Sequence, residues 1–478
     1  MTIRLISYIA TMLVCFCLTA CVAVGPDYVP PEVKVPATWS STESTTKTSE
    51  SADLRQWWRE MNDPLLNELV NEALGANLDL ATARAKLREA RAQRALAGAQ
   101  LGPSLSVSAS ASRSDSSRES GSGATHELYS AGFDASWEAD VFGGLRRGTE
   151  AAEADVGASI ENLRDTQVSL ISEVVLNYVE LRTSQRRLAI TEERIASFEE
   201  TFQLARWRQQ AGLTSKLDVS QARTELESIR AGLPPLRTSI SEARNRLAVL
   251  LGRAPGELQS LLAATGTFPL ARRATMVGIP ADMLRQRPDV RAAERKLAAQ
   301  TARLGEAKAE RYPSFKLSGS IGLEAFTLSA LTNSGAALYS LLGSITAPVF
   351  DSGRINANIE TQDALLEQSR LNYHAAVLNA LEDVENALIA VVNSDERRQK
   401  LAGAAESARE TLQLAEQRYA GGLTDFLTVL DSQRTLLGLE DDLAGSSGEL
   451  ASAQIQLFKA LGGGWSPDSP ATGSEDAT

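Results

Sequence analysis

Four segments of the chain alternate apolar and polar residues, a period of two that predicts β-strands with one apolar and one polar face. The alternation is clearest in the second segment, where Phe133 and Trp137 share one face and Ser130 and Asp134 the other. The predicted strands cover about residues 104–116, 128–142, 314–326 and 338–350. Their length and pattern are typical of transmembrane β-strands, although the same pattern also fits a half-buried sheet of a soluble protein.

Four strands cannot close a barrel, and a sheet with open edges is not tolerated in lipid. A membrane position for these strands therefore requires several chains, each contributing two hairpins. Three chains of four strands would give about twelve, which falls within the range of known barrels.

A long segment with helical spacing of apolar residues follows each pair of predicted strands. About residues 146–210 and 354–419 contain no proline, and their apolar residues recur every three, four or seven positions. At ~1.5 Å per residue, each helix would approach ~100 Å in length. Each is followed by a return helix, so the chain is predicted to form long helical hairpins over about 145–252 and 353–462.

The first return helix contains Pro234 and Pro235, which predict a break or kink. At the corresponding place the second return helix carries the small residues of 444–448. This stretch is a weak helix former, so we expect both return helices to be interrupted at one level.

The sequence of the hairpin turn occurs in two copies, one per hairpin, and the copies lie 210 positions apart. The matching pairs are Arg208 and Arg418, Gly212 and Gly422, Leu213 and Leu423, and Thr214 and Thr424, with Tyr419 next to Arg418. The offset also holds far from the turns, since Pro103 and Ser104 return as Pro313 and Ser314. The chain is therefore predicted to consist of two repeats, residues 62–265 and 277–463.

Composition and charge exclude several classes of function. The net charge of −12 argues against a nucleic-acid partner, because phosphate binding needs a basic face. The sequence has only two histidines, His126 and His374, and carries no phosphate-binding loop, metal-spaced cluster or nucleophile elbow. We therefore expect neither an enzyme nor a bound metal or cofactor.

The N-terminus has the pattern of an export signal. Residues 1–20 contain one charged residue and an apolar run too short to span a bilayer, and small residues precede Cys21. This indicates a lipoprotein signal peptide with acylation of Cys21, although an ordinary signal peptide with an incidental cysteine has the same features. Residues 21–61 are predicted to be an extended segment and solvated linker, and residues 464–478 a disordered tail.

These features together resemble the outer-membrane factors of Gram-negative tripartite efflux and secretion systems, the TolC-like family. The lipoprotein branch shows a Gly-Pro-Asp-Tyr stretch after the cysteine, here Gly25 to Tyr28, and then a tryptophan-rich run, here Trp57 and Trp58. The resemblance implies an α+β membrane protein. It would form a trimeric 12-stranded transmembrane β-barrel with four strands per chain, continued by a long periplasmic α-helical barrel with a mixed equatorial region.

The resemblance also assigns roles to the hairpin turns. Asp218 and Asp431 match acidic residues that line the periplasmic aperture, while Thr428 stands where some relatives carry a further Asp. The tips that an adaptor engages would be Arg208, Gly212, Leu213, Thr214, Arg418, Tyr419, Gly422, Leu423 and Thr424. The implied partners are two further copies of the chain, a periplasmic adaptor protein, an inner-membrane pump of the resistance-nodulation-division type and outer-membrane lipid.

The sequence thus predicts a passive export duct, lipid-anchored in the bacterial outer membrane and extending into the periplasm. A type I secretion channel is an alternative within the same family. A lipid-anchored periplasmic coiled-coil spacer is the alternative from another class, but it does not account for four alternating strands. The exported substrate is not encoded in any recognisable feature of the chain.

Overall fold

The computed structural model describes residues 23–31, 39, 54–120, 123–264, 266, 268–271 and 286–466. The predicted signal peptide and Cys21 lie outside these residues, as do most of the predicted linker and tail. The chain forms two compact units. The first contains Met1–Glu32, Lys86–Ile160 and Ala292–Ala375, and the second contains Val33–Ala85, Glu161–Arg291 and Ala376–Thr478. Each unit takes elements from both predicted repeats, so the compact units do not coincide with the repeats.

A short 3-10 helix at Leu54–Met61 precedes the regular elements. In chain order these are α1 (Pro64–Ala76), α2 (Leu78–Ala99), β1 (Ser104–Asp115), β2 (Thr125–Ala139), α3 (Gly144–Gln210), α4 (Lys216–Ala231), α5 (Leu233–Leu250), α6 (Pro288–Ala309), β3 (Ser314–Ala325), β4 (Ala337–Thr346), α7 (Arg354–Ala420) and α8 (Phe426–Ala460). Within the described ranges, no helix combines the length and the apolar character needed to cross a membrane.

The four strands form one antiparallel sheet in the order β1-β2-β3-β4. The register aligns an apolar row across it, Val107 with Phe133, Phe133 with Ile321, and Ile321 with Tyr339. All four side chains are exposed. The opposite face is polar, with Ser108 donating to Asp134 at 2.7 Å and Ser320 paired with Ser340 at 2.7 Å. The predicted alternation is confirmed.

Two strands end earlier than predicted, β2 at residue 139 rather than 142 and β4 at 346 rather than 350. Alternation continues past both ends, but the chain there turns into the long helices. The carboxylate of Asp140 accepts hydrogen bonds from the first N–H groups of α3. Asp351 accepts from the Gly353 N–H just before α7 at 2.9 Å and from the Ile355 N–H in its first turn at 2.8 Å. Capping of the helices therefore ends the strands.

The second unit is helical, and its core consists of apolar side chains at helical spacing. The fully buried examples include Val174, Val175, Tyr178, Leu181, Leu247, Ala451 and Ile455. The Tyr178 hydroxyl, although buried, donates to Asp63 at 2.5 Å and accepts from Arg182 at 2.8 Å. Asp63 in turn caps α1, so one polar network fixes the start of that helix to the core.

The two return helices differ, which corrects one prediction. The first is interrupted at Gly232, between α4 and α5, two positions before the predicted break at Pro234 and Pro235. The second, α8, runs without interruption through residues 444–448. Gly448 lies so close to Thr183 that a Cβ atom there would come within 2.9 Å of the Thr183 Cγ2 atom. The small residues permit close packing against α3 instead of breaking the helix.

The predicted disordered tail, residues 464–478, begins with residues that are packed. The Gly464 N–H donates to the Leu54 carbonyl at 2.9 Å, and Gln167 donates to the Gly464 carbonyl at 3.0 Å. The Arg164 guanidinium lies 4.5 Å from the centre of the Trp465 ring. An aromatic residue that stacks with a cation explains why this part of a Gly- and Ser-rich stretch is ordered.

Candidate functional site: the two hairpin tips

Each long helix ends in the same backbone turn. In the first turn, Gly212 has a φ of +75°, and the Leu213 N–H donates to the Arg208 carbonyl at 2.8 Å. In the second turn, Gly422 has a φ of +71°, and the Leu423 N–H donates to the Arg418 carbonyl at 2.8 Å. Both are Schellman turns, in which a left-handed residue closes the helix and glycine is strongly preferred. The predicted turns are therefore confirmed at both positions.

A capping box starts the first return helix. The Ser215 hydroxyl accepts from the Asp218 N–H at 3.2 Å, and the Asp218 carboxylate accepts from the Ser215 N–H at 3.0 Å. The Thr214 hydroxyl also donates to this carboxylate. Asp218, predicted as an aperture residue, is thus also part of the helix cap.

The second tip is capped from the same two positions, but the acid is at the first position and the hydroxyl residue at the second. Asp425 stands 210 residues after Ser215, and Thr428 stands 210 residues after Asp218. The Asp425 carboxylate accepts from the Thr428 N–H at 2.9 Å and from its hydroxyl. Each tip therefore carries one capping carboxylate.

Hydrogen bonds hold both carboxylates in their ionised form. The Thr214 hydroxyl and the Ser215 N–H lower the pKa of Asp218 below its usual value. The Thr428 hydroxyl and N–H lower the pKa of Asp425, while the negative charge of Asp218 acts in the opposite direction. The two acids belong to different repeats and interact electrostatically.

Asp431 lies on the exposed surface of α8, two turns of helix beyond the tip. Its side chain is 73% exposed and stands 3.9 Å from Arg434. Arg434 is itself held by both carboxylate oxygens of Glu225 on α4, at 2.6 and 3.1 Å. The arginine thus connects the two return helices, and Asp431 is at the margin of this ion pair.

The two tips also contact one another through a cation–π interaction and an apolar cluster. The Arg208 guanidinium stands 4.3 Å from the centre of the Tyr419 ring, so these predicted residues from different repeats are neighbours. Beneath them lies a cluster formed by Phe198, Ala205, Ala222, Leu226, Ile229, Phe426 and Leu430. Because the cluster takes side chains from both hairpins, it couples the position of one tip to the other.

The outer surface of the tips is apolar. Leu213 and Leu423 are 74% and 72% exposed, and one helical turn later Leu217 and Leu427 are 65% and 54% exposed. The pairs match at the repeat offset, so each tip presents two leucines in the same way. The four leucines are therefore candidates for contact with a partner.

The site predicted from the sequence therefore lacked five residues that the geometry adds: Asp425, Glu225, Arg434, Leu217 and Leu427. Leu217 and Leu427 already matched at the 210-residue offset and could have been included on that ground. Asp425 was missed because the capping acid stands at different positions in the two repeats. A search for identical residues at the 210-residue offset therefore does not find it. The partnership of Glu225 with Arg434 depends on helix packing and has no signal in the sequence.

Comparison with known proteins gives a consistent result. The chain matches the family described as outer membrane efflux protein over residues 69–253 and again over 279–463, ranges that begin and end 210 residues apart. It is 33% identical to nodulation protein T of Rhizobium leguminosarum bv. trifolii over 451 residues, covering 94% of this chain and 96% of that protein. It is 32% identical to the antibiotic efflux pump outer membrane protein ArpC of Pseudomonas putida over 468 residues, covering 96% of each.

Among solved structures, the chain is similar to the outer-membrane channel OprN. The TM-score is 0.87 at 36% sequence identity, and the match covers 92% of this chain and 99% of that one.

Proposed function

Because the chain belongs to the outer membrane efflux protein family, we propose that it serves as the passive outer-membrane duct of a tripartite efflux system. In this role it receives substrates from an inner-membrane pump and a periplasmic adaptor and releases them outside the cell. The observation that carries the proposal is the family match over both halves of the chain, together with the paired tips at the ends of two 67-residue helices.

The duct requires a homotrimer. In the sheet order, β1 and β4 each have a neighbour on one side only. An outward row of apolar side chains and a serine-rich opposite face suit a wall between lipid and a water-filled lumen. Three copies of the four-stranded sheet would pair these edges and close a barrel of about twelve strands.

The exposed leucines of the tips are the proposed docking surface for the adaptor. Leu213 and Leu217 in one tip and Leu423 and Leu427 in the other would bury apolar area against it. Arg208, Thr214, Arg418, Tyr419 and Thr424 of the same turns complete the proposed docking tips, with Gly212 and Gly422 fixing the backbone. An inner-membrane pump of the resistance-nodulation-division type is the expected energy source, on the resemblance to the lipoprotein branch.

The tip acids are the proposed lining of the periplasmic aperture. Asp218 and Asp431 from three chains would place six carboxylates around one opening, and Asp425 adds a third acid per chain. A ring of carboxylates favours cations over anions. Separation of the tips, through loss of the Arg208 contact with Tyr419 and of the Glu225–Arg434 pair, would open the duct.

Acylation of Cys21 is the proposed membrane anchor, placed in the outer membrane rather than the inner one. The support is the sequence alone, because the small residues before Cys21 and the Val22 that follows it resemble an outer-membrane lipoprotein signal. Mass spectrometry of the mature N-terminus tests this proposal directly.

Planar-bilayer recordings of the purified protein test the duct and its aperture. We expect small, cation-selective and mostly closed currents from the wild type, and larger leak currents from the variant with Asp218→Ala and Asp431→Ala. Asp395→Ala is the matched control, since this acid pairs within α7 with Arg398. Conductance unchanged by the double variant would rule out an aperture role for these two acids, and absence of any conductance in the wild type would contradict the duct.

A further inference from the structure

One cavity of the second unit is lined by more positive than negative side chains. It has a volume of about 810 Å³ and takes its walls from α3, α7, α8 and residues 266 and 268. Six charged side chains line it: Arg182, Arg186 and Glu193 of α3, Arg398 and Arg409 of α7, and Glu440 of α8. Four arginines against two glutamates give this lining a formal charge of +2. We call it the arginine cavity.

The guanidinium of Arg182 is buried without a carboxylate in contact with it. The residue is 6% exposed. It donates to three neutral acceptors: the Gln185 side-chain oxygen at 2.8 Å, the Ala264 carbonyl at 2.7 Å and the Tyr178 hydroxyl at 2.8 Å. Its Nε atom has no acceptor among the described residues. Because buried charges are normally paired, this wall of the cavity lacks negative charge.

A second guanidinium adds to the positive charge at Arg182. Arg244 of α5 donates to the Leu262 carbonyl at 2.9 Å, and within the described ranges its Nε atom also has no acceptor. Burial, and then the positive charge of Arg182, lower the pKa of Arg244. Since a like charge disfavours the protonated form of a base, the two guanidiniums repel each other. An anion bound in the arginine cavity would reduce this repulsion.

Two charged residues of the lining are available to a ligand. Arg186 and Glu193 lie seven residues apart on α3, are exposed, and form no hydrogen bond or ion pair in the described part of the chain. The other exits for positive charge are occupied, since Arg409 binds Glu440 at 2.9 Å and Arg398 is paired within α7. Arg186 is therefore the arginine of the lining that can take up the charged group of a ligand.

The rest of the lining is partly apolar. It includes Ile190 of α3, Phe268 and Leu443 of α8. A volume of about 810 Å³ falls within the range of roughly 300–1,000 Å³ that is usual for small-molecule sites. Guanidinium groups bind carboxylates and phosphates through two parallel hydrogen bonds, so arginine is the residue of choice for such anions. The lining thus suits a molecule with an anionic head and an apolar body.

We propose that the arginine cavity binds an amphipathic anion, a carboxylate or phosphate ester on an apolar body, with its charged group held by Arg186 in the field of Arg182. Glu193 opposes this binding by repulsion. Both a lipid with such a headgroup and a soluble anion carry this chemistry. The inference goes beyond the proposed duct and does not rest on it, because binding is measured on the protein itself and not through transport.

Isothermal titration calorimetry of the purified full-length protein in a non-ionic detergent tests the site. Hexyl phosphate is the probe, and hexyltrimethylammonium, with the same chain and the opposite charge, is its control. We expect hexyl phosphate to bind, more weakly as salt is added, and the cation not to bind. Dodecyl phosphate distinguishes the sources: tighter binding of the longer chain supports a lipid, and weaker binding supports a soluble anion. Absence of binding by both phosphates would overturn the proposal.

Two substitutions on one face of α3 should act in opposite directions. Arg186→Ala should weaken binding of hexyl phosphate about tenfold, the scale of one hydrogen bond to a charged group. Glu193→Gln should strengthen it about threefold, the scale of an exposed charge interaction. Both side chains are exposed and carry no contact in the described chain, so the fold should be retained.

Arg88→Ala is the matched control, because this arginine of α2 is also exposed and has no partner in the part of the chain that the structure describes. It should bind hexyl phosphate as the wild type does. Uptake of the probe by detergent micelles is the same for every variant and cancels in the comparison. Equal losses in Arg186→Ala and Arg88→Ala would reduce the effect to net charge and overturn the site, as would weaker binding by Glu193→Gln.

Discussion

The hairpin of the first repeat returns through two helices, α4 and α5, whereas the hairpin of the second returns through the single helix α8. Their tips nevertheless share the same Schellman turn, the same capping positions and the same pair of exposed leucines. The tip geometry has thus been retained in both copies while the rest of the return path has diverged. This contrast supports the proposed shared function of the tips, whereas the return helices differ with what each one packs against.

The divergence has a local cause in each repeat. Gly232 and the prolines that follow it end one helix and begin another, because proline is tolerated only in the first turn of a helix. In α8 the corresponding region contains Ser446 and Gly448, both buried. There the absence of a large side chain lets the helix approach Thr183 and remain continuous.

The largest effect is expected from removing the apolar surface shared by the tips. The double variant Leu213→Ala and Leu423→Ala should weaken adaptor binding by about 3 kcal/mol or more, since burial of each leucine contributes about 1.5–3 kcal/mol. If the tips are equivalent, the two single variants should lose the same amount of binding free energy as each other. Titration of the purified adaptor against the reconstituted channel measures this.

Leu414→Ala is the matched control for the docking prediction, because this residue of α7 is also exposed but precedes the turn. It should leave binding unchanged. A loss confined to one of the two single variants would show that the tips, although similar in structure, do not share the docking function.

Gly448→Ala should destabilise the protein by about 1–3 kcal/mol, the usual cost of overpacking a buried contact. Its added methyl group would press against Thr183. Gly445→Ala, three residues earlier, meets no atom within 4 Å and should stabilise α8 by up to about 1 kcal/mol. Thermal unfolding in detergent compares the two. Equal shifts of both variants would contradict the close contact between α8 and α3.

Gly212→Ala and Gly422→Ala should each cost about 1–2 kcal/mol of local stability, because a Cβ atom is unfavourable in the left-handed conformation. Neither Cβ would meet another atom within 4 Å, so the cost should be the same in both tips. Hydrogen exchange of the Leu213 and Leu423 amides measures it. Gly421→Ala, whose φ is not positive, is the control and should change little.

The smallest effect concerns pH at the caps. The folded-state pKa values of Asp218 and Asp425 lie below the unfolded value of about 3.9, so their stabilisation is present above that pH and lost as pH falls through the folded values. Amide protection at both tips should be constant down to about pH 5 and should fall below about pH 4. Asp218→Asn should remove the pH response of the first tip only, and a response that persists there would assign it to another group.

Much of the fold could be predicted because the sequence repeats its local signals. Gly212 and Gly422 identify the turns, since few other residues adopt their conformation, and the alternation around Phe133 identifies the sheet. Strand ends were less predictable, because the alternating pattern continues past residue 139 while the hydrogen bonds of the sheet do not. The path of α8 could not be predicted, because Gly448 weakens a helix in isolation and permits packing in the folded protein.

The candidate site was likewise predicted only in part, because its residues have sequence signals and their contacts do not. Arg208 and its repeat partner Arg418 were identified from the sequence, as was Tyr419 beside Arg418, but the contact of Arg208 with Tyr419 was not. Asp425 was not identified because the acid stands at the first capping position in the second repeat and at the second capping position in the first. This change keeps the bond from the Asp218 or Thr428 N–H to the capping side chain, but not the residue types.

A reversible link between the tips tests the central claim most directly, namely that the paired tips close an export duct and must separate to open it. Arg208→Cys and Tyr419→Cys can be joined by a short, cleavable thiol crosslinker, and the acylated Cys21 would not compete. The account predicts that crosslinked channels stay closed in planar bilayers and do not support efflux in cells, and that cleavage restores both. Normal efflux through fully crosslinked tips would contradict it.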